Sequence, residues 1–96
     1  MKYILKISRN RDIVIDKYQN NQCAIFVKNH NGEPFGELSI MDNSVDLNAD
    51  EVILKTYSEN SIICKYLISV KLITPTDRFV LVGSSLCPIC RINYNV

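Results

Sequence analysis

Two cysteines three positions apart, in Cys87-Pro88-Ile89-Cys90, are the residues whose type and spacing could do the most chemistry. Such a pair can turn two thiolates onto one zinc ion, whose structural sites need four ligands in a tetrahedron. It can also cycle between dithiol and disulfide where a helix N-terminus lowers one thiol's pKa. The surroundings argue against both. Cys23 falls in an expected strand and Cys64 in an expected helix, so the second ligand pair of a zinc site is missing. Arg91-Ile92-Asn93-Tyr94-Asn95-Val96 alternates like a strand and offers no helix dipole. Buried, reduced thiols are the plainer reading. A small zinc-binding or redox module on Cys87 and Cys90 stands as the alternative, and no metal ligands or cofactor are assigned.

The other reactive side chains are scattered. His30 is the single histidine and lies in an expected turn, with no serine or cysteine placed beside it as nucleophile. Gly32, Gly36 and Gly83 are too far apart to form a phosphate-cradling loop. Asp42, Asp46, Asp50 and Glu51 lack the ligand rhythm and the turn glycine of a helix-loop-helix calcium site. Phe26 and Phe35 face one another across an expected hairpin, as a cross-strand core pair or a stacking platform for bases. No catalytic residue is assigned, and the chain reads as no enzyme.

The elements that must hold these residues form one mixed fold. Tyr3–Ile7 and Asp12–Ile15 read as strands. Cys23–Lys28 and Phe35–Ile40 flank a turn containing Asn31-Gly32, both tolerant of positive φ, with Pro34 where the ladder needs no donor. Residues 41–50 form a polar, acidic loop anchored by Val45 and Leu47, and a short strand follows over 51–56. Ser58 suits a helix N-cap with Glu59 favoured beside it. The helix runs over about 59–73, with Ile63, Tyr66, Leu67, Val70 and Ile73 inward and Lys65, Ser69 and Lys71 outward, and Thr74-Pro75 ends it. Arg78–Val82 and Leu86–Tyr94 are the last strands, with Pro88 at an edge, a start or an irregularity. The expected class is α+β: a mostly antiparallel sheet of five to seven strands with one helix on one face, in a single domain over residues 1–96.

Composition bounds the function. Ninety-six residues with 47% hydrophobic and 22% charged side chains suit one globular domain and not a disordered chain. No apolar run reaches the ~20 residues a membrane helix needs, and Lys6, Arg9, Arg11 and Asp12 interrupt any signal-peptide core, so a cytoplasmic protein is expected. Eleven Lys and Arg against ten Asp and Glu give no field to hold a polyanion, so direct nucleic-acid binding is not expected. The charge is unevenly spread, however: residues 1–30 carry six basic and two acidic groups, 31–60 one and seven, 61–96 four and one. The acidic middle either pairs with the chain's own basic faces or aims at a basic partner.

Asn31-Gly32-Glu33-Pro34-Phe35, Leu47-Asn48, Val52-Ile53-Leu54-Lys55, Tyr57-Ser58-Glu59-Asn60, Leu72-Ile73, Pro75-Thr76-x-Arg78, and Gly83 before Cys87-Pro88-Ile89-Cys90-Arg91 together resemble a small bacterial family. It is the uncharacterised domain of unknown function 4313, common on plasmids, conjugative elements and prophages, and the resemblance spans roughly residues 22–92. It implies no activity, cofactor or site residue, only a setting as accessory cargo of a mobile element. Ile, Asn, Lys and Tyr make up 35 of the 96 residues, as AT-rich genomes tend to encode.

The expected function is therefore a non-enzymatic binding protein of a phage or mobile element. An anti-defence inhibitor of the anti-CRISPR kind would bind a host or defence-system protein through an acidic surface made of Glu33, Glu37, Asp42, Asp46, Asp50 and Glu51, mimicking a phosphate strand. A homodimer through a strand edge, or through Ile62, Cys64, Ile68 and Leu72 of the helix, is a further possibility.

Overall fold

The computed structural model describes residues 3–6, 10–57 and 60–93. Eight strands and one helix follow in the order β1 (Tyr3–Lys6), β2 (Arg11–Lys17), β3 (Cys23–Asn29), β4 (Pro34–Glu37), β5 (Ser39–Ile40), β6 (Glu51–Leu54), α1 (Asn60–Ser69), β7 (Ile73–Val82) and β8 (Ser85–Ile92). The class is α+β with antiparallel sheets and one helix, as the sequence implies. The single sheet is corrected to two four-stranded sheets, ordered β1-β2-β3-β4 and β5-β6-β8-β7.

The reason lies at Leu38. Pro34–Ile40 reads as one run, but its halves pair with different neighbours: Phe26 faces Glu37 in the first sheet, and Ser39 faces Leu54 in the second. Leu38 joins them, its N–H donating to Ile25 O at 2.8 Å and its carbonyl accepting from Lys55 N at 2.7 Å. The chain turns a corner between sheets there, a known solution where two sheets pack at an angle. Ser39 repairs the ladder at the bend, its buried hydroxyl accepting the Ile25 N–H at 2.8 Å.

The main core fills the space between the sheets and under the helix. Ile13 and Ile15 of β2, Cys23, Ile25 and Val27 of β3, Leu38, Val52 and Leu54 of β6, Cys64 and Leu67 of α1, and Cys90 and Ile92 of β8 belong to it. A second, smaller cluster occupies the other face of the second sheet, where Ile53, Cys87 and Ile89 lie under Val45 and Leu47 of loop 41–50. β6 is thus buried on both faces, and all four of its residues are inside.

Helix α1 ends earlier than Thr74-Pro75 suggests. Lys71 adopts a left-handed φ of 63°, its N–H donates to Ile68 O, and the Leu72 N–H reaches back to Leu67 O, both at 3.0 Å. This is a Schellman closure, sealed by Leu67 and Leu72 in the core. Ile73 therefore opens β7 instead of closing the helix. Tyr66 and Ile62 face out, and Cys64 takes the inward place. The Ser58 cap and Glu59 lie outside the described residues, as do Ile7 and Tyr94 at their expected strand ends.

Two prolines enter the second sheet without breaking it. β8 pairs with β6 only as far as Ile89, so Pro88, with no N–H to give, sits where it has β7 alone beside it. After Pro75 the register of β7 shifts, and Thr76 Oγ1 donates to Ile89 O at 2.7 Å where the ladder is interrupted.

Candidate functional site

Loop 41–50 contains no helix or strand, yet its backbone is held from several sides. Gln22, nearly buried at the start of β3, makes three bonds to it. Its Nε2 donates to Asp42 O at 2.8 Å and Val45 O at 2.9 Å, and its Oε1 accepts the Asp42 N–H at 2.9 Å. Asn20 Nδ2 donates to Asn43 Oδ1 at 2.8 Å. At the loop's far end the Ala49 carbonyl accepts from Lys17 Nζ at 2.9 Å and Cys23 Sγ at 3.0 Å. Beneath, Val45 and Leu47 pack on the second cluster. Between loop and turn lies an open cleft of about 580 Å³ lined by Lys17, Asn20, Gln22, Asn43, Asp46 and Asn48 among others.

The six acidic residues are not gathered into one face. Glu33 belongs to the β3–β4 turn, where Asn31 Oδ1 accepts its N–H at 3.1 Å. That turn is at the opposite end of β3 from the loop, about 20 Å away for seven extended residues. Glu37, exposed on β4, accepts a hydrogen bond from the Tyr18 hydroxyl, which also bonds Ser39 Oγ at 2.8 Å. Burial, then the bond to Glu37, pushes the Tyr18 hydroxyl pKa upward. Glu51 is corrected outright: it is 3% exposed, its carboxylate paired with Arg78 and accepting the Asn48 N–H at 2.8 Å. The Arg78 guanidinium, then that backbone bond, holds Glu51 below its ordinary carboxylate range. It cannot belong to a contact surface.

Three of the six remain together on the loop. Asp42 caps its own turn, accepting from Ser44 Oγ at 2.6 Å and Ser44 N at 3.0 Å, and these bonds lower its pKa. Asp50 lies 3.6 Å from Arg91 Nε. Asp46 is exposed and lines the cleft. Exposed Asn43, Ser44 and Asn48 fill the surface between them.

The cysteines are all buried. Cys87 and Cys90 are an odd number of positions apart on one strand, so their side chains leave opposite faces of β8: Cys87 joins the smaller cluster and Cys90 the main core. Two thiols divided by a sheet cannot share an ion or close a disulfide. Burial raises the Cys87 thiol, pushes Cys64 up to about 11, and with Cys64 nearby takes Cys90 to about 12. These three are protonated at neutral pH. Among the described residues no three His, Cys, Asp or Glu side chains are grouped as metal ligands.

The remaining expectations resolve as follows. His30 is exposed in the β3–β4 turn, its Nδ1 3.8 Å from Asp12 Oδ1. Phe26 and Phe35 do not face one another: register pairs Phe26 with Glu37, Phe26 meets Tyr18 edge-on at 6.0 Å, and Phe35 lies under the Arg11 guanidinium at 3.8 Å. Of the helix residues considered for a dimer, Cys64 and Leu72 are buried and Ile62 is exposed. No described helix is long and apolar enough to cross a membrane.

Gln22, Lys17, Tyr18 and Ser39 are the residues that sequence reasoning missed. The one signal available was a glutamine placed directly against an apolar strand, which implies partners for its amide without naming them. No family model, curated protein or solved structure matches the chain.

Proposed function

We propose that this chain is a non-enzymatic binding protein that engages a partner with a basic surface through loop 41–50. The observation that carries the reading is the clamping of that loop. Ten residues without secondary structure exceed the roughly four to six of a typical connection, and binding residues are often carried on such loops. Here their backbone is fixed before any partner arrives, so little ordering entropy is lost on contact. What the loop displays is Asp46 with Asp42 and Asp50 beside it and a run of amide and hydroxyl groups, a surface suited to Lys and Arg. The acidic surface is thus narrower than the sequence suggests, three residues in place of six.

The setting rests on the resemblance alone: accessory cargo of a phage or mobile element, with the partner a host or defence-system protein in an anti-defence, anti-CRISPR-like inhibition. A basic groove that normally holds a phosphate strand is a surface such a loop would occupy.

The test uses a basic host nuclease recovered by affinity capture and measured by calorimetry against wild type, Asp46→Lys and Asp46→Lys/Asp50→Lys. Affinity should fall at least tenfold for the double variant and weaken as salt rises, with the unfolding midpoint of the single variant unchanged. Equal affinity of all three proteins would end the reading.

A further inference from the structure

Lys17 and Cys23 stand directly opposite one another in the β2–β3 ladder, so their closeness is set by backbone register. Lys17 Nζ lies 3.4 Å from Cys23 Sγ. Both also donate to one acceptor, the Ala49 carbonyl, at 2.9 and 3.0 Å. An amine, a thiol and a carbonyl thus form a compact triangle. Cys23 is 1% exposed, but it lies behind Lys17 and Ala49, two of the residues lining the 580 Å³ cleft. Hydrogen peroxide is small enough to enter that cleft, and displacement of the Lys17 side chain is what must admit it to the sulfur.

We propose that Lys17 and Cys23 are an oxidative cross-linking site that joins as a sulfenamide when the protein meets a peroxide. The sulfur of Cys23 attacks one peroxide oxygen; an S–O bond forms, the O–O bond breaks, and the other oxygen leaves as water with the thiol proton. Cys23 is then a sulfenic acid, oxidised by two electrons, and the peroxide is reduced. The Lys17 ammonium gives up a proton to water, and the resulting amine attacks the sulfur. An N–S bond forms, the S–O bond breaks, and the hydroxyl departs as a second water with a proton from the nitrogen. One thiol, one amine and one hydrogen peroxide give one sulfenamide and two waters. A thiol reductant reverses it by attack on sulfur, releasing the amine.

The bond has a consequence at Ala49. The S–H donor is consumed, and the nitrogen, drawn from 3.4 Å to bonding distance of sulfur, keeps a single N–H and must move relative to the carbonyl it held. The hold of these two side chains on Ala49 is weakened, while Glu51 keeps the Asn48 N–H and Gln22 keeps the near end of the loop. Resting on the reading of that loop as the recognition surface, oxidation becomes a way to weaken partner binding.

The purified protein treated with hydrogen peroxide decides the chemistry without any partner. Trypsin should leave peptide 12–28 uncut after Lys17 and lighter by two hydrogens, and dithiothreitol should restore both mass and cleavage. Lys17→Arg keeps the charge, and its unfolding midpoint should match wild type; its Cys23 should go on to sulfinic acid with no such species. Cys23 left alkylatable after unfolding, or oxidised in wild type with Lys17 still cleaved, would overturn the proposal, as would the same mass loss in Lys17→Arg. Hydrogen exchange at Asn48–Asp50 then tests the loosening: at least tenfold faster exchange in the cross-linked protein is expected, and unchanged exchange would confine the effect to the chemistry. Failure of the charge-reversal experiment would leave the peptide result standing, so the two readings fail separately.

Discussion

Loop 41–50 packs on one face of the second sheet, while the β7–β8 hairpin is two strands of that sheet, and the two are held in opposite ways. The loop has no regular backbone pairing, yet Gln22, Asn20, Lys17 and Cys23 hold it through side chains. The hairpin has an unbroken ladder from Phe79–Pro88 to Val82–Ser85, yet one of its faces is bare: Phe79, Leu81 and Leu86 are 55%, 68% and 59% exposed. Regular structure and satisfied surface are separate properties. A ladder satisfies the backbone and says nothing of what its side chains meet, whereas a loop can be ordered entirely by groups distant in sequence.

The largest effect expected from breaking that contrast comes from Gln22→Ala. It removes three hydrogen bonds and strands the Asp42 N–H and the Asp42 and Val45 carbonyls, so unfolding free energy should fall by about 3 kcal/mol. Denaturant titration with hydrogen exchange at Asp42 checks it; a loss under about 1 kcal/mol would mean the loop is held by Val45 and Leu47 instead.

A middle-sized effect belongs to the joint between the two regions, where Glu51 bonds Asn48 of the loop and Arg78 at the hairpin's base. Its folded pKa is depressed, so the stability it contributes is fully present above its ordinary value of about 4.5 and is lost as pH falls through the lower folded value. Asp42 adds to the same acid limb. Glu51→Gln should flatten that limb below pH about 4.5; an unaltered acid profile would show that Arg78 contributes nothing to Glu51 in the folded state.

The smallest effect should come from the bare face. Leu81→Lys and Leu86→Lys replace side chains that are mostly in water, so each should shift stability by no more than ~0.5 kcal/mol while reducing self-association on sizing columns. A loss of several kcal/mol would show that this face is covered.

The sequence is legible where structure is local. The Asn31-Gly32 turn, the β7–β8 turn at Gly83 and the strand Cys23–Lys28 appear where pattern puts them, because the residues that decide them are neighbours. The inward helix stripe holds at Leu67 and fails at Tyr66, since a 3.6-residue period leaves the direction of the buried side free by a residue. The helix end at Lys71 is hidden because nothing in a lysine announces a left-handed φ, while Pro75, four positions later, looks like an obvious stop and is in fact strand. The split at Leu38 could not be read, because one alternating run serves either sheet equally well. For the site, the acidic loop is visible as composition, but Glu51's burial depends on Arg78 twenty-seven positions away, and Gln22's role on carbonyls twenty or more away.

That corner at Leu38 ties the fates of the two sheets. Ile25 accepts from Leu38 on one side and Lys55 donates to it on the other, so stripping either sheet leaves its neighbour with a raw margin and a split core. Neither half can melt while the other waits; the molecule should come apart in one step, as a folded sheet of paper loses both leaves when its crease is torn.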